Sequence, residues 1–476
     1  MDIEQQRKRQ AIKVIFSEAI MFLAVIFVMV ILVMIVSGYW INQDFKIERQ
    51  GMIQINSLPT GADIVVDGES GWMQRTNGSK IVASGEHDVE IRKDGYIPWQ
   101  KHVYVSDGLM YRLGYVRLFP VELAPEEVGL IDSAFTKSIV SRDHKKVIYT
   151  NKTSKWTIRH FSGNTSSFEE LDISGILPGA SKAQGIGAGV FSGNILSARW
   201  NRDNNKVLFD IQDGGENWVI LDVENPEHSL NLTRAFGMNF SDNFVSMDDS
   251  GDNILAVENG NLRKINVPGK SISGILATNV GAYDYFDGKV VFYSENGESK
   301  FIGGLDNFES LPKKILDAEN RVLKINLGRF YDNNYLTIVD EKNVSLYSGR
   351  MPGSDEDKDA IEKVMQEEIG FTPVEIHVGR NDDFVLIKNG DSVTTLDMES
   401  ENVIRFKIDG QKLNWLDDYL FYTTKDDKMV VYDYDGLNRH ELLDTVSSNF
   451  EAFIHDARWL YYYSDGKIMV ADLLAS

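Results

Sequence analysis

The sequence predicts a mainly β protein with one N-terminal transmembrane helix, a small β-sandwich domain and a C-terminal ring of repeated β-sheets. Three observations predict it: an apolar run over 19–36, period-two hydrophobicity after residue 50, and short apolar strands that recur about every 45 residues beyond residue 120. The composition agrees, because 39 Gly against 10 Pro suit many strands joined by glycine turns. We expect a cytoplasmic tail, the helix, a linker, the small β domain and the repeats at residues 1–14, 15–38, 39–50, 51–119 and 120–476.

Charge and cysteine content exclude several classes of function. The chain carries 49 Lys and Arg against 71 Asp and Glu, a net charge of −22, which repels phosphate backbones and argues against nucleic acid as a partner. Disulfides, thiolate metal sites and a cysteine nucleophile are excluded because the chain has no cysteine. Apolar residues at 43% and charged residues at 25% are typical of a folded chain.

The apolar run is long enough to cross a bilayer. Residues 19–36 contain no polar side chain, and about 20 residues span the hydrocarbon layer. A cleaved signal peptide has a shorter apolar core of about 7–15 residues. We therefore favour an uncleaved anchor over a signal peptide or a buried helix. The residues expected to contact membrane lipid are Ala19, Phe22, Val25, Phe27, Val30, Leu32 and Val36.

The flanking charges predict the orientation of this helix. Arg7, Lys8, Arg9 and Lys13 precede the run, whereas only two cations, at positions 46 and 49, lie within the same distance after it. This bias places the N-terminus in the cytoplasm and the rest of the chain outside. Residues 1–36 have a net charge of +1, so the expected exported part carries −23. An acidic exported body without cysteine favours a bacterial cell envelope.

Residues 50–118 carry the motifs of a small β module, for which we expect an antiparallel β-sandwich. The motifs are Ser57-Leu58-Pro59-Thr60-Gly61-Ala62, Asp67-Gly68, Gly85-x-His87-x-Val89 and Lys93-Asp94-Gly95-Tyr96. On these motifs the segment resembles the PEGA domain family, with Thr60 in place of the family's glutamate and no proline in 71–76. The resemblance implies a surface-exposed envelope module for binding or spacing, without catalytic residues. The motif residues are Pro59, Thr60, Gly61, Ala62, Gly85, Gly95 and Tyr96.

Three aromatic residues of this module, Trp72, Tyr96 and Trp99, have two interpretations. We favour a place in the small hydrophobic core, because large rings contribute much of the buried area in a domain of this size. The alternative places them at the surface, where they would stack on a glycan.

Beyond residue 120 the chain repeats itself. Short apolar strands follow Asp, Asn or Gly turns at 146–149, 206–209, 253–256, 289–292, 335–338, 384–387, 419–422 and 459–462. A period near 45 residues is that of a four-stranded propeller blade. The segment resembles the WD40-like and TolB-like β-propeller superfamily, although no repeat has a full Trp-Asp signature.

We favour eight blades over seven blades or an open pair of sheets. The last repeat has room for only three strands, and an unclosed ring would expose a sheet edge. We therefore expect residues 121–132 to supply the missing outer strand. Two insertions interrupt the period. Residues 173–193 are expected to form a flexible loop or, alternatively, a loop that binds a partner or touches the membrane. Residues 354–369 are expected to form a helix, capped by Ser354, that packs on a blade or docks a partner.

No catalytic constellation is recognisable in the sequence. The eight His residues are dispersed, and no G-x-S-x-G elbow exists. Residues 268–271 resemble the end of a P-loop, but Lys264 stands where a P-loop has its first glycine, so we expect only a turn. We expect no cofactor. Structural calcium at the acidic turns 248–252 and 433–436 is the less favoured reading, because neither continues to a terminal glutamate ligand.

These observations predict a non-enzymatic, single-pass membrane protein of the bacterial envelope. Its propeller would bind another envelope protein or a cell-wall glycan. A signal receptor is less favoured, because about 14 cytoplasmic residues hold no effector domain. The alternative is a glycosidase- or lyase-type enzyme that acts on a surface polymer, with two or three carboxylates converging at the propeller axis.

Overall fold

The chain forms two compact units. The computed structural model describes residues 3–36, 39–41, 47–130, 135–152, 155–173, 176, 193–212, 215–237, 245–306, 308, 311–330, 333–349, 361–410, 412–444, 446–447 and 449–475. The first unit comprises Met1–Leu123 with Leu474–Ser476, and the second comprises Ala124–Leu473.

The first unit begins with helix α1, Ile3–Val36. Within it, Phe16–Met34 has a mean hydropathy of 2.7, and none of this segment is buried against the described residues. Large apolar side chains such as Phe22 and Phe27 are about two-thirds exposed, at 67% and 66%. A helix that is apolar around its whole circumference needs an apolar surrounding. By length and composition this helix is able to cross a membrane.

The remainder of the first unit is a sandwich of two four-stranded sheets. One sheet has the order β1-β2-β5, with β8 beside β2, and the other has the order β4-β3-β6-β7. The strands are β1 Tyr39–Ile41, β2 Ile47–Leu58, β3 Asp63–Val66, β4 Glu69–Arg75, β5 Gly78–Ala83, β6 Gly85–Arg92, β7 Trp99–Val105 and β8 Met110–Arg117.

The expectation of a purely antiparallel sandwich is wrong. Strand β8 runs parallel to β2, with Ile53 opposite Tyr111 and Ile55 opposite Leu113. This pairing places Leu113 in the same core as Ile53 and Ile55, and all three are fully buried. The sheet is therefore mixed, because the strand that completes the core returns to β2 in the same direction.

Two of the three aromatic residues of this unit are core residues. Tyr96 and Trp99 are only 4% and 1% exposed and pack in the core between the two sheets. The ring of Trp99 meets that of Tyr115 edge-on at 6.2 Å. The glycan-stacking alternative is wrong for both residues because neither ring is accessible. The side chain of Trp72 lies outside the described part of the chain.

The described residues of the second unit form eight four-stranded sheets, which we number 1 to 8 in chain order. Sheets 1 to 4 are β10 Phe135–Val140, β11 Lys146–Asn151, β12 Lys155–Ser162, β13 Thr165–Asp172; β14 Asn194–Trp200, β15 Lys206–Gln212, β16 Glu216–Asp222, β17 Leu230–Asn231; β18 Val245–Met247, β19 Asn253–Glu258, β20 Asn261–Asn266, β21 Ser271–Ile272; and β22 Val280–Phe286, β23 Lys289–Asn296, β24 Ser299–Asp306, β25 Lys313–Asp317.

Sheets 5 to 8 follow the same order of strands. They are β26 Val322–Phe330, β27 Asn333–Asp340, β28 Asn343–Gly349, β29 Ile361–Glu368; β30 Glu375–Val378, β31 Phe384–Asn389, β32 Ser392–Asp397, β33 Asn402–Lys407; β34 Lys412–Trp415, β35 Leu420–Lys425, β36 Lys428–Asp433, β37 His440–Leu443; and β38 Phe453–His455, β39 Trp459–Ser464, β40 Lys467–Asp472 with β9 Glu126–Leu130. A short α-helix, α2 Leu232–Phe236, follows β17. Eight is also the number of blades that the sequence repeats favour over seven.

Each predicted apolar strand coincides with the second strand of a sheet. These strands are buried along nearly their whole length, as in β31, where Phe384 to Lys388 are all buried. A continuous apolar run of this kind is expected where both faces of a sheet are covered. The sheets accordingly share hydrophobic clusters with their neighbours, from the cluster of sheets 1 and 2 to the cluster of sheets 5 and 6.

The remaining contacts close these sheets into a ring. Between sheets 6 and 7 the rings of Phe384 and Tyr434 stack at 4.4 Å. Between sheets 7 and 8 the amide of Ala452 donates to the Tyr422 hydroxyl at 2.9 Å. Sheets 8 and 1 share a cluster that includes Phe453 and Tyr149. The second unit is therefore a β-propeller.

The outer strand of sheet 8 comes from the beginning of this unit. Strand β9 pairs antiparallel with β40, with Leu130 opposite Lys467 and Glu126 opposite Val470. The prediction that residues 121–132 supply the missing strand is confirmed. One sheet thus holds both the first and the last strands of the propeller.

The predicted helix at residues 354–369 is wrong in its described part. Ile361–Glu368 is strand β29, the outer strand of sheet 5, while 354–360, with the proposed cap, lie outside the described residues. The register shifts where Leu346 faces Met365 and Tyr347 faces Lys363, so Val364 is bulged. A bulge interrupts the alternation of inward- and outward-facing side chains along a strand. Ile361, Val364 and Met365 are therefore half-buried although they have the i, i+3, i+4 spacing of a helix.

The first insertion is described only at its ends. Ile173 is buried, and Ile176 packs on the cluster between sheets 1 and 2. The Ile176 carbonyl also accepts a hydrogen bond from Asn231 Nδ2 at 3.2 Å. The predicted loop itself, from 177 to 192, lies outside the described residues.

We expect the contact between sheets 1 and 8 to depend on a buried histidine. His455 is 1% exposed, and its Nδ1 donates to the His144 carbonyl at 3.0 Å. His455→Ala should lower the free energy of unfolding by about 1–3 kcal/mol, because it leaves a buried carbonyl without its donor. Urea unfolding followed by tryptophan fluorescence measures the change. The control is Lys145→Ala at an exposed neighbouring position, and an equal effect of both variants would contradict the prediction.

Candidate functional site

The PEGA motif residues shape turns and core rather than a cleft. Gly61 and Gly95 have φ angles of 73° and 80°, which suit glycine. Ala62 is fully buried, and its amide donates to the Thr76 hydroxyl at 3.0 Å. Thr60, at the position of the family's glutamate, is exposed, so its side chain is not needed for the core.

A histidine within the second motif holds two of these turns together. His87 is 8% exposed, its Nδ1 lies 2.7 Å from Asp67 Oδ2, and its Nε2 lies 2.7 Å from the Ala83 carbonyl. Partial burial raises the pKa of Asp67, but hydrogen bonds from His87 and the Asp88 amide outweigh it, so the net pKa is lowered. The Gly-x-His-x-Val motif was a signal for this contact, and its role is structural.

A cavity lies at the axis of the propeller. Its volume is about 350 Å³, and it is lined by the first strands of sheets 2 to 6 and by the turns that follow the first strands of several sheets, including sheet 1. Pockets of this size are typical of small-molecule sites. We call it the axial cavity.

The axial cavity is lined by more cations than anions, although the chain is strongly acidic. Five basic residues border it against four aspartates: Arg142, Arg199, Arg202, Lys324 and Arg380 against Asp248, Asp249, Asp284 and Asp382. The net charge of the whole chain is −22. The local balance is therefore opposite in sign to that of the protein.

Asp382 is the centre of an ion-pair network in this cavity. Its Oδ2 lies 2.8 Å from Arg202 and 3.8 Å from Arg142, and Arg202 also lies 3.3 Å from Asp249. The guanidinium of Arg202 stacks over the ring of Phe286 at 4.7 Å. Burial raises the pKa of Asp382 to about 6, although the two arginines act in the opposite direction.

Two of the basic side chains bond to each other's backbone. Arg380 donates to the Arg142 carbonyl at 3.2 Å, and Arg142 donates to the Arg380 carbonyl. These bonds join the first turn of sheet 1 to that of sheet 6. Burial lowers the pKa of Arg380, and the nearest carboxylates oppose this effect. The network fixes the geometry of one wall of the cavity.

The carboxylates of the cavity are engaged in structural contacts. Asp284 accepts a hydrogen bond from the Leu327 amide at 2.7 Å, and Asp248 accepts from Asn253 Nδ2 at 2.6 Å. In the other acidic turn, Asp433 accepts from Asn438 at 2.8 Å. Within the described residues, no group of three or more His, Asp or Glu is placed to hold a metal ion.

Sequence reasoning missed the axial cavity. The signal was present in the turns Ser141-Arg142-Asp143 and Asn201-Arg202-Asp203, with Gly379-Arg380-Asn381 at the same point of a third repeat. An arginine that recurs after the first strand of a propeller repeat points to the axis in each case. The single sequence did not show which repeats converge.

The fold thus defines a chain that combines a small β-sandwich with a β-propeller. The sandwich is a PEGA domain, because the model of that family matches residues 50–117. No curated protein matches the chain.

Solved propeller structures resemble the chain at low sequence identity. The C-terminal WD40 domain of Sif2 has a TM-score of 0.45 and 12% identity, covering 74% of this chain and 99% of its own. The Cps50 (Swd1) propeller of Myceliophteria thermophila has a TM-score of 0.42 and 9% identity, with coverages of 73% and 99%. Hsv2 of Kluyveromyces lactis has a TM-score of 0.41 and 10% identity, covering 65% of this chain and 99% of its own. The assignment as a propeller therefore rests on the eight sheets themselves.

A second group of carboxylates beside the cavity predicts a pH-dependent stability. Burial, together with the negative charges of Asp418 and Asp382, raises the pKa of Asp383 to about 7. Because this pKa exceeds the ordinary value of 3.8, the native state binds the proton more tightly than the unfolded state does. The stabilisation from this proton is complete below about pH 4 and is lost as the pH rises through about 7.

Asp383→Asn should therefore raise the free energy of unfolding at pH 8 by about 1–2 kcal/mol and leave it nearly unchanged at pH 4. Chemical unfolding at both pH values measures the difference. Glu298→Gln removes the same charge from an exposed position and serves as the control. A gain for Asp383→Asn that is equal at both pH values, or no larger than that of the control, would contradict the prediction.

Proposed function

We propose that this chain is a single-pass membrane protein of the bacterial cell envelope. Its propeller, outside the cytoplasm, binds another envelope protein or a cell-wall glycan. The observation that carries the proposal is the helix segment Phe16–Met34, whose apolar side chains are not covered by any part of the chain that the structure describes. An apolar surface of this length is stable in a bilayer and not in water.

The charge distribution supports the proposed orientation. Four cations precede the apolar run and two follow it within the same distance, so the positive end remains in the cytoplasm. The PEGA domain at residues 50–117 follows the apolar helix in the sequence, which agrees with a spacing or binding role.

The propeller supports binding rather than catalysis. Its eight sheets use the apolar residues for mutual packing, and the carboxylates around the axial cavity are engaged by arginines or backbone amides. Propellers with a rigid ring and variable turns present broad surfaces to partners. The partner class follows from the proposed location: an envelope protein or a wall glycan.

The anchor is tested by two charged substitutions at its centre. Phe27→Arg with Val30→Arg should move the protein from the membrane fraction to the soluble or degraded fraction, because each arginine at mid-membrane costs about 2.5–3.5 kcal/mol. Fractionation and immunoblotting measure the distribution. Ile81→Arg, at a side chain that is 61% exposed in the PEGA domain, should leave the protein in the membrane fraction.

The orientation is tested by protease added to intact cells. We expect loss of an epitope at the C-terminus and survival of one at the N-terminus. A C-terminal epitope that resists protease until lysis would contradict the proposed topology. Two further experiments distinguish a protein partner from a glycan. A crosslinking pull-down from intact cells would recover a protein partner, and a binding assay of the purified chain with wall polysaccharide would detect a glycan.

One observation favours a second candidate, an enzyme that acts on a surface polymer. Asp382, with its pKa raised to about 6, lines the same cavity as Asp284, whose pKa is also raised by burial, and glycoside hydrolysis uses a pair of carboxyl groups of which one, the general acid, has a raised pKa. Under the leading proposal, the purified chain releases no product from wall polysaccharide. Product release that Asp382→Asn abolishes, and that the exposed-site variant Glu298→Gln retains, would favour the enzyme.

A further inference from the structure

The axial cavity holds three donor groups that no described residue binds. The guanidinium of Arg199 and the ammonium of Lys324 make no hydrogen bond or ion pair with any described residue, although both line the cavity. The third is the side-chain amide of Asn326 on the same strand as Lys324. We call Arg199, Lys324 and Asn326 the axial donors.

Asn326 is the most informative of the three. The residue is 5% exposed, and its Nδ2 is buried without a hydrogen-bond partner in the described structure. A buried donor that lacks an acceptor is destabilising, and more than nine in ten buried polar groups in proteins are satisfied. The amide group belongs to a residue that lines the cavity, so a ligand with an acceptor oxygen would satisfy it.

Arg199 on sheet 2 and Lys324 on sheet 5 both line the cavity, and their positive charges interact electrostatically. Burial lowers the pKa of the Lys324 ammonium, Asp284 opposes this effect, and the positive charge of Arg199 adds to it. Two like charges that face one cavity repel each other unless an anion lies between them. Asp284 and Asp382 offset part of this repulsion, and a further negative group in the cavity would offset more of it.

The aspartates of the cavity do not fill this place. Asp382 is shared by Arg142 and Arg202, and Asp249 also pairs with Arg202. Among the carboxylates, Asp284 has the largest electrostatic effect on Lys324. Its Oδ2, however, accepts a hydrogen bond from the Leu327 amide. The three axial donors thus remain available, while the other arginines are occupied.

We propose that the axial cavity binds the phosphate group of a small phosphate monoester, held by Arg199, Lys324 and Asn326. The proposal goes beyond the proposed function, because it concerns a small ligand and holds whether or not the chain is anchored in a membrane. A phosphate fills only part of about 350 Å³, so the organic part of the ligand has room beside it.

Charge favours phosphate over a carboxylate. A carboxylate has one negative charge and two oxygens, which neutralise one of the two cations. A phosphate monoester has a charge of about −1.5 to −2 and three terminal acceptor oxygens, one for each axial donor. Arginine binds such oxygens in pairs, and lysine acts as a point charge.

Isothermal titration of the full-length chain in detergent with inorganic phosphate tests the proposal. We expect saturable binding, weakened about tenfold or more by Arg199→Gln and by Lys324→Gln. Arg329→Gln removes a cation from the same strand as Lys324, outside the cavity lining, and should leave the affinity within about twofold. Absence of saturable binding up to about 10 mM phosphate, or equal affinities for all variants, would overturn the proposal.

Asn326→Leu separates a binding role from a structural one. Leucine has the same branching and the same number of side-chain heavy atoms as asparagine and removes the unsatisfied donor, so Tm without phosphate should stay the same or rise. The increase in Tm that phosphate produces should shrink. Were the variant to keep the full phosphate-induced increase, Asn326 would not belong to the site. Arg199→Lys retains the charge and should retain saturable binding, which guards against a variant that merely misfolds.

Two competitors identify the source of the phosphate group. Glycerol 3-phosphate, a monoester, should compete with inorganic phosphate. Dimethyl phosphate, which has the single charge of a phosphodiester within a polymer, should compete much less. Competition by dimethyl phosphate alone would overturn the assignment of a dianion.

Discussion

The pairing of β9 with β40 is the constraint on which the propeller depends. Without β9, sheet 8 would have only three strands and β40 would be left as an unpaired edge, which is prone to pair with other chains. The returning strand joins the two ends of the unit within sheet 8. The histidine contacts between His144 and sheet 8 add a second link at the same junction. A closed ring also fixes the positions of the inner strands around one axis.

Closure explains why charged residues that are far apart in sequence meet in one cavity. Arg142 and Asp382 are 240 positions apart, yet they lie 3.8 Å from each other because sheets 1 and 6 face the same axis. Burial at the axis raises the pKa values of Asp284 and Asp382 and lowers those of Lys324 and Arg380. Arginine and backbone bonds compensate for most of this burial. The compensation is incomplete at Asn326 and Lys324, and incomplete satisfaction of buried polar groups is characteristic of functional sites.

Local patterns were sufficient to predict the elements but not their convergence. The apolar run and the second strand of every sheet were predictable, because each depends on residues adjacent in sequence. Strand β29 was not, since the bulge at Val364 gives its apolar residues a helical spacing, and pairing with β28 overrides that local pattern. The parallel pairing of β8 with β2 was not predictable either, because it joins strands that are far apart in the sequence. The axial donors come from separate repeats, and no spacing within one repeat shows that they meet.

The net negative charge of the whole protein affects how an anion reaches the axial cavity. A body with a net charge of −22 repels anions at long range, but at physiological salt this field decays over about 8 Å. Charges inside a cavity are screened less than charges on the surface. An anion would therefore meet weak repulsion outside and less-screened cations within, so we expect its affinity to depend less on salt than that of a surface site. A basic surface patch behaves in the opposite way, because salt weakens it directly. The proposed axial site would thus allow an acidic protein to select one small anion while it repels large polyanions.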